Sequence, residues 1–181
     1  MDIITGEFGE RNVLVKGGWV EIQDIPEIIE TLSEIDSEFG TTSQVFDANF
    51  IAGKNHILRA SKLALDSLER SRAFADNPSI ELTCWTAGMR QIDKSLDRVG
   101  VKGGSGGIVV VTIGTESEKV EEAQSNILKE LSVDVDEGVL DIDEEKEKAL
   151  AEAYSLSEEQ LETHSVDDLV MEKVALLSLQ Q

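Results

Sequence analysis

The chain has 181 residues and a formal net charge of −21, from 37 acidic and 16 basic residues. This length suits one domain with its own core, and a hydrophobic content of 40% excludes an acidic disordered tail. The single cysteine, Cys84, excludes an internal disulfide framework and a multi-cysteine metal site. No apolar run reaches the length of a membrane span and no basic-then-apolar leader opens the sequence, which predicts a cytoplasmic protein.

The first half of the chain predicts two short strands, a helix, a third strand and then two longer helices. Pro26 suits the first turn of the first helix, and Gly40 suits its end. Asn77-Pro78 separates the two longer helices, each of which carries an apolar stripe at helical spacing. The predicted ranges are strands over 2–6, 12–20 and 44–48 and helices over 25–35, about 55–75 and about 80–99.

The second half predicts a central strand, a helix and a helical carboxy-terminal region. The glycine-rich run over 103–107 is interpreted as a mobile loop. Ser165, with Asp168 three residues later, predicts the cap of the last helix. The other predicted ranges are a strand over 108–114, a helix over about 117–131 and a strand or irregular segment over 133–142. Together these elements predict a single α+β domain over residues 1–181, with a small, mostly antiparallel sheet packed by helices.

The negative charge is unevenly distributed along the chain. Residues 1–49 carry a net charge of −9 and residues 103–181 carry −15, whereas residues 50–102 carry +3. Either two helices happen to have basic solvent faces, or an acidic protein keeps one basic patch for an anionic partner. The acidic residues are spread over both flanks, which favours adaptation to a salt-rich, halophilic cytoplasm over one acidic surface for a basic partner.

The basic middle region contains a candidate phosphate-binding site. Lys54 and His56 lie at the start of the first long helix, where free backbone N–H groups and the helix dipole favour an anion. His56 alone is better interpreted as a cap or a packing residue, but Arg59 and Lys62 accompany it on the same helix. On the second long helix, further polar residues lie opposite the apolar stripe: Arg90, Gln91 and Lys94.

No arrangement of residues predicts catalysis, a metal site or a cofactor site. The glycine-rich run follows a helix and opens a strand, the reverse of the order in a phosphate-binding loop. Lys102 precedes those glycines and is a candidate phosphate contact only. His56 and His164 have no metal-ligand partner three or four residues away, and a buried, inert thiol is the favoured interpretation of Cys84. The sequence therefore predicts a protein that is not an enzyme.

Three blocks of the sequence together resemble one known family. The block over 46–60 has a strand ending in Asp-Ala, then Ile and Gly, then His with Ala four residues later. The block over 80–101 has Glu-Leu, a small residue with Gly, Arg-Gln-Ile, and then Leu and Gly. The block over 169–177 is similar to the closing helix of archaeal members. In order and spacing, over nearly the whole chain, they resemble the small kinase-binding subunit of the KEOPS (EKC) complex, a family that includes the human PRPK-binding protein.

The resemblance implies a mixed α/β domain without an active site of its own. Such subunits bind the small kinase-like ATPase of the complex and help bring tRNA to the machinery that makes threonylcarbamoyladenosine. Archaeal members bind the 3′ CCA end of tRNA, and no DNA partner is expected. The positions that match the family are Lys54, His56, Arg59 and Arg90-Gln91. With the neighbouring cations, the predicted RNA-binding residues are Lys54, His56, Arg59, Lys62, Arg90, Gln91, Lys94 and Lys102.

The leading prediction is an RNA-recruiting, kinase-binding accessory subunit, in which cations contact phosphate and an apolar groove holds unstacked terminal bases. Phe50 is the aromatic residue nearest the cations in sequence, with core packing as its alternative role. The alternative function is a module that regulates a kinase-like ATPase without touching RNA. The apolar excess of the last helix supports it, although burial within the fold is commoner. The predicted partner-binding residues are Leu169, Val170, Val174 and Leu177.

Overall fold

One antiparallel sheet organises the chain. The computed structural model describes residues 1–6 and 9–180. The strands are β1 (Asp2–Gly6), β2 (Gly9–Ile22), β3 (Thr42–Asp47), β4 (Gly104–Gly114) and β5 (Asp134–Val135). The strand order is β1-β2-β4-β3, and the short β5 pairs with β2. The turn predicted between the first two strands includes residues 7 and 8, which lie outside the described residues.

Helices cover both faces of the sheet. They are α1 (Ile25–Phe39), α2 (Gly53–Glu69), α3 (Pro78–Ala87), α4 (Ile92–Val99), α5 (Ser117–Glu130), α6 (Glu144–Ala153), α7 (Glu158–Thr163) and α8 (Val166–Leu176), with 3₁₀ turns at Ala48–Phe50, Glu137–Leu140 and Leu177–Gln180. Ile108 and Val110 of β4 pack with α1 and α5, whereas Val109 and Val111 pack with α2 and α3. Alternate residues of one strand thus build two cores, and the predicted α+β class is confirmed.

The long pairing of β2 with β4 corrects the interpretation of the glycine-rich run. In the antiparallel register, Gly104 lies opposite Ile22 and Gly107 lies opposite Trp19. The prediction of a mobile loop is therefore wrong for residues 104–107. Because β2 is 14 residues long, it supplies ladder partners that compensate for the weak strand propensity of glycine.

The second long helix predicted from the sequence is two helices, so the prediction of a continuous helix over 80–99 is wrong. Gly88 follows α3 with a φ of 65°, and its N–H donates to carbonyl groups in the last turn of that helix. Glycine adopts this left-handed conformation at little cost, which makes it a good helix end. Ile92 and Leu96 are the apolar residues for which this matters most: the sequence places them in the apolar stripe of one long helix, but they are 40% and 41% exposed on α4.

A buried carboxylate holds the segment between α2 and α3. The first long helix ends at residue 69 rather than near 75. Glu81 is fully buried and accepts the N–H groups of Phe74 and Ala75 at 2.8 and 3.0 Å. It also accepts the indole N–H of Trp85 at 2.8 Å. A buried carboxylate is costly unless it is hydrogen-bonded, so these donors explain why Glu81 is tolerated there.

The last helix belongs to the core, which corrects its predicted role. Its four predicted partner-binding side chains are at most 3% exposed: Leu169, Val170, Val174 and Leu177. α8 contacts α2, α3 and α6, so these side chains are unavailable to another protein. Burial within the fold is therefore the role that the structure shows. Ser165 lies at the N-cap of α8, but its side chain does not form the predicted capping bond.

Candidate functional site

A basic cavity adjoins the turn between α3 and α4. The Arg90 guanidinium lies 5.4 Å from the centroid of the Phe74 ring, a distance typical of a cation–π contact. The cavity has a volume of about 640 Å³ and is lined by Arg72, Ala73, Phe74, Arg90 and Gln91. Arg90 provides a cation beside the Phe74 ring and none of the five lining residues is acidic, so the cavity suits an anionic ligand. We call it the first cavity.

A second cavity, of about 520 Å³, adjoins the same turn and combines cations with acids. Its lining residues are Phe50, Met89, Lys94, Asp97, Arg98, Ala149, Glu152 and Ala153. The Lys102 ammonium approaches the Phe50 ring and lies 5.8 Å from its centroid. The aromatic ring of each cavity therefore has a cation beside it. Lys102 itself is not among the lining residues of the second cavity, and the carboxylates of Asp97 and Glu152 make that cavity less positive.

His56 is a packing residue next to the end of α3, which corrects its predicted phosphate contact. The side chain is fully buried. Its Nδ1 accepts the Ala52 N–H at 3.1 Å, and its Nε2 donates to the Thr86 carbonyl at 2.9 Å. Burial lowers the pKa of His56 to about 4, so the ring is neutral at pH 7. With both ring nitrogens occupied, no atom of the ring is left for phosphate, and the alternative of a cap or packing residue describes it.

Tyr154 on α6 fixes the backbone that shapes the second cavity. Its hydroxyl lies 3.1 Å from the carbonyl oxygens of both Phe50 and Thr86. Burial raises the pKa of Tyr154, so the hydroxyl keeps its proton and acts as the donor. Arg98 lies over the Tyr154 ring at 4.9 Å and donates to the Ala87 carbonyl at 2.8 Å. These contacts hold Phe50 close to the end of α3.

The basic residues of α2 form a separate group. The Lys54 ammonium lies 2.7 Å from the carboxylate of Asp2. Lys62 donates to a β1 carbonyl at 2.9 Å and pairs with Asp66 at 3.2 Å. These two lysines therefore reach toward β1, whereas Arg59 is exposed on the same helix. The structure thus divides the predicted RNA-binding residues between α2 and the α3–α4 turn instead of gathering them into one cluster.

Arg72 and Phe74 line the first cavity but are missing from the predicted set. The sequence prediction extends the first long helix to residue 75, which places both residues inside a regular helix. One feature of the sequence could have identified them: an aromatic residue follows an arginine by two positions, just before Asn77-Pro78, which ends a helix.

Among residues 1–6 and 9–180, no group of three or more His, Cys, Asp or Glu residues is placed to hold a metal ion. Cys84 is buried as predicted, and burial raises the pKa of its thiol. None of the described helices is both long enough and apolar enough to cross a membrane.

The sequence matches the family model of the kinase binding protein CGI-121 over residues 19–178. The chain belongs to this family. A curated relative, the regulatory protein Cgi121 of Methanocaldococcus jannaschii, is 26% identical over 142 residues, which cover 78% of this chain and 87% of the relative. The family predicted from the three sequence blocks is confirmed.

The match to the CGI-121 family includes both cavities and the helices α1 to α8. The names of the family and of the relative describe kinase binding and regulation. Both are roles that a protein performs through its binding surfaces.

Proposed function

We propose that this chain is a non-catalytic accessory subunit of the KEOPS complex in the cytoplasm. In this role it binds the kinase-like ATPase subunit and recruits tRNA by its 3′ CCA end for threonylcarbamoyladenosine modification. Membership of the CGI-121 family supports the kinase part of the proposal. The two cavities at the α3–α4 turn support the tRNA part.

The observation that carries the tRNA proposal is a cation beside the aromatic ring of each cavity. Arg90 lies against Phe74, and Lys102 lies against Phe50. Unpaired bases bind proteins by stacking on aromatic rings and guanidinium planes, while cations contact the phosphates. Because both cavities adjoin one turn, a short single strand can place a base at each. The 3′ end of tRNA is such a strand.

The net charge of −21 determines the conditions in which such a site works. The Debye length is about 10 Å at 0.1 M salt and about 3 Å at 1 M. The acidic flanks therefore repel tRNA at low salt and are screened at high salt, whereas base stacking needs no long-range attraction. A site of this kind fits a salt-rich cytoplasm, and its affinity for tRNA should fall less steeply with salt than that of a basic protein.

Titration of fluorescently labelled tRNA, with and without its CCA end, tests the proposal. We expect removal of the CCA end to weaken binding by about tenfold or more, because each lost base contact is worth roughly 1–3 kcal/mol. Arg90→Glu and Lys102→Glu should each weaken binding of intact tRNA by a similar factor. Lys129→Glu is the matched control, because it makes the same charge change at an exposed position of α5, on the other face of the sheet.

Comparing the losses of tRNA affinity shows whether the proposal holds. Equal affinity for intact and truncated tRNA contradicts recognition of the CCA end. Equal losses for Arg90→Glu, Lys102→Glu and Lys129→Glu contradict a local site, because they would report only the net charge. Lys54→Glu and Arg59→Glu show whether the α2 group takes part.

The alternative function is a module that regulates the kinase-like ATPase without contacting RNA. The carboxylates of Asp97 and Glu152 favour it, because they line the second cavity and repel phosphate. This alternative predicts no measurable tRNA binding at any salt concentration, together with normal binding of the ATPase.

A further inference from the structure

An apolar groove runs along the β3 edge of the sheet. α1 contacts β3 from one face of the sheet and α3 contacts it from the other, so β3 forms the floor between the two helices. The groove has a volume of about 700 Å³, and its aliphatic lining includes Ile25, Ile29, Leu32, Ile80, Leu96 and Val101. Ile29 is 63% exposed and Leu96 is 41% exposed. Two large aliphatic side chains thus stand open to solvent in the same groove.

Several polar groups of the groove are hydrogen-bonded within the chain. Asp36 accepts the hydroxyl groups of Thr41 and Ser43 at 2.7 and 2.8 Å, and it also accepts the Ser43 N–H at 2.7 Å. The Asn77 side chain accepts the Ser79 N–H at 2.9 Å. No Lys, Arg or His is among the described residues that line the groove. Because the lining is largely aliphatic and holds no cation, the groove suits an occupant held by apolar side chains better than a phosphate.

The exposed edge of β3 is closed to an added strand. Ser43 and Val45 donate their N–H groups to the side chains of Asp36 and Gln44, at 2.7 and 2.9 Å, rather than to a neighbouring strand. The Gln44 amide donates in turn to the Thr83 hydroxyl at 3.0 Å. An extended peptide adds to a sheet through such N–H groups, so the groove favours a helix that inserts side chains.

The surroundings of the groove are negatively charged. α1 has no basic residue, and its exposed acidic residues are Glu27, Glu30, Glu34 and Glu38. Asp24 and Asp76 adjoin the ends of two lining segments, whereas Lys102, which adjoins a third, lies against the Phe50 ring. Lys94 and Arg98 of α4 line the second cavity instead of the groove. The field over the groove therefore selects a partner with basic side chains around its apolar ones.

We propose that this groove binds an amphipathic helix of the kinase-like ATPase. The helix inserts aliphatic side chains between Ile29 and Leu96 and places Lys and Arg side chains against α1. This inference rests on the proposed function, because the ATPase is the partner that it assigns to the groove. The groove follows the β3 edge and the two cavities adjoin the α3–α4 turn, so the chain can hold the ATPase and tRNA together.

Calorimetric titration of the full chain with the recombinant ATPase tests the groove. Ile29→Glu places a charge among apolar contacts, and we expect it to raise the Kd by about tenfold or more. Leu179→Glu is the matched control, because this side chain is 79% exposed and lies outside the groove. It should leave the Kd unchanged. Both variants should melt at the temperature of the wild type and bind tRNA as it does, since neither position is in the core or the two cavities.

A salt series separates the apolar and charged parts of the interaction. The double variant Glu30→Lys with Glu34→Lys should weaken ATPase binding several-fold at 0.1 M salt and should match the wild type near 1 M, where the Debye length is about 3 Å. The loss caused by Ile29→Glu should persist at both salt concentrations. A double variant that binds like the wild type at 0.1 M contradicts the basic partner helix.

The outcomes distinguish failure of the groove from failure of the proposed function. If the wild type does not bind the ATPase, the kinase-binding function and the groove both fall. If the wild type binds and Ile29→Glu binds equally well, the groove is wrong and the kinase-binding function stands. If light scattering shows a wild-type dimer that Ile29→Glu converts to a monomer, a second copy occupies the groove and the proposal is overturned.

Discussion

The helices α1 and α8 both carry more apolar residues than one packing stripe requires, yet the chain uses the surplus in different ways. In α8, Val170 and Val174 are fully buried, because α2, α3 and α6 all contact this helix. In α1, whose neighbours include α5 and β3, Ile25 and Ile29 remain 36% and 63% exposed. A similar apolar surplus is thus buried in one helix and exposed in the other, because different elements lie beside them.

The largest expected effect is a difference in stability when a glutamate is placed on each of the two helices. Val170→Glu should lower the free energy of unfolding by about 4 kcal/mol or more, because the carboxylate enters an apolar cluster with Leu150 and Val166. Ile29→Glu should change it by less than about 1 kcal/mol, since the side chain is already in solvent. Urea unfolding followed by circular dichroism measures both. Equal losses for the two variants contradict the contrast between the helices.

Removing the carboxylate of Glu81 should have the next largest effect on stability. It should also affect tRNA binding at the first cavity without affecting ATPase binding at the groove. Glu81→Ala leaves the buried N–H groups of Phe74, Ala75 and Trp85 without an acceptor. We expect a loss of about 3 kcal/mol of stability, read from the same urea unfolding. Because Phe74 forms the first cavity, tRNA affinity should fall as well, whereas ATPase binding at the groove should hold.

The control for this prediction is Glu81→Gln, which keeps one acceptor oxygen and should recover part of the lost stability. If Glu81→Ala weakens tRNA and ATPase binding equally at a temperature where the variant is folded, the two surfaces are not independent.

The smallest expected effect is a pH dependence that comes from His56. Its pKa is lowered to about 4 in the folded chain, against about 6.5 when unfolded. Between these values the unfolded chain binds a proton that the folded chain does not, so stability falls as the pH drops. Between pH 7 and pH 5 the loss should be about 2 kcal/mol.

Urea unfolding at pH 7 and pH 5 measures this dependence, with the two histidines of the chain as a matched pair. His56→Gln should reduce the difference between the two pH values, whereas His164→Gln at an exposed position should keep it. If stability changes equally between pH 7 and pH 5 in both variants, the pH dependence does not come from His56.

The elements with local signals could be predicted from the sequence. The helix α1 has a capping side chain at Asp24, a proline in its first turn and a left-handed Gly40 at its end, all within the helix and its flanks. The sequence therefore predicts its position closely, as it does for α5. The apolar run over 108–114 likewise predicts the central strand, because it is buried on both faces and needs no alternation.

The remaining features depend on residues that are distant in sequence. Residues 104–107 form a strand because β2 lies beside them, about 85 residues earlier in the chain. His56 is buried because Thr86 and Tyr154 close over it. The charge pattern predicts a basic region, but it could not predict that Arg90 would join Phe74 while Lys54 turned to β1. Those contacts arise from packing, which composition and periodicity do not encode.

Closing the β3 edge with side chains also protects the chain from aggregation. The free N–H groups of an edge strand are a ready template for strands of other molecules. Asp36 and Gln44 occupy two of these groups beside the most exposed aliphatic residues of the groove. The apolar groove can therefore lie open to solvent without offering these two N–H groups to a strand of another molecule.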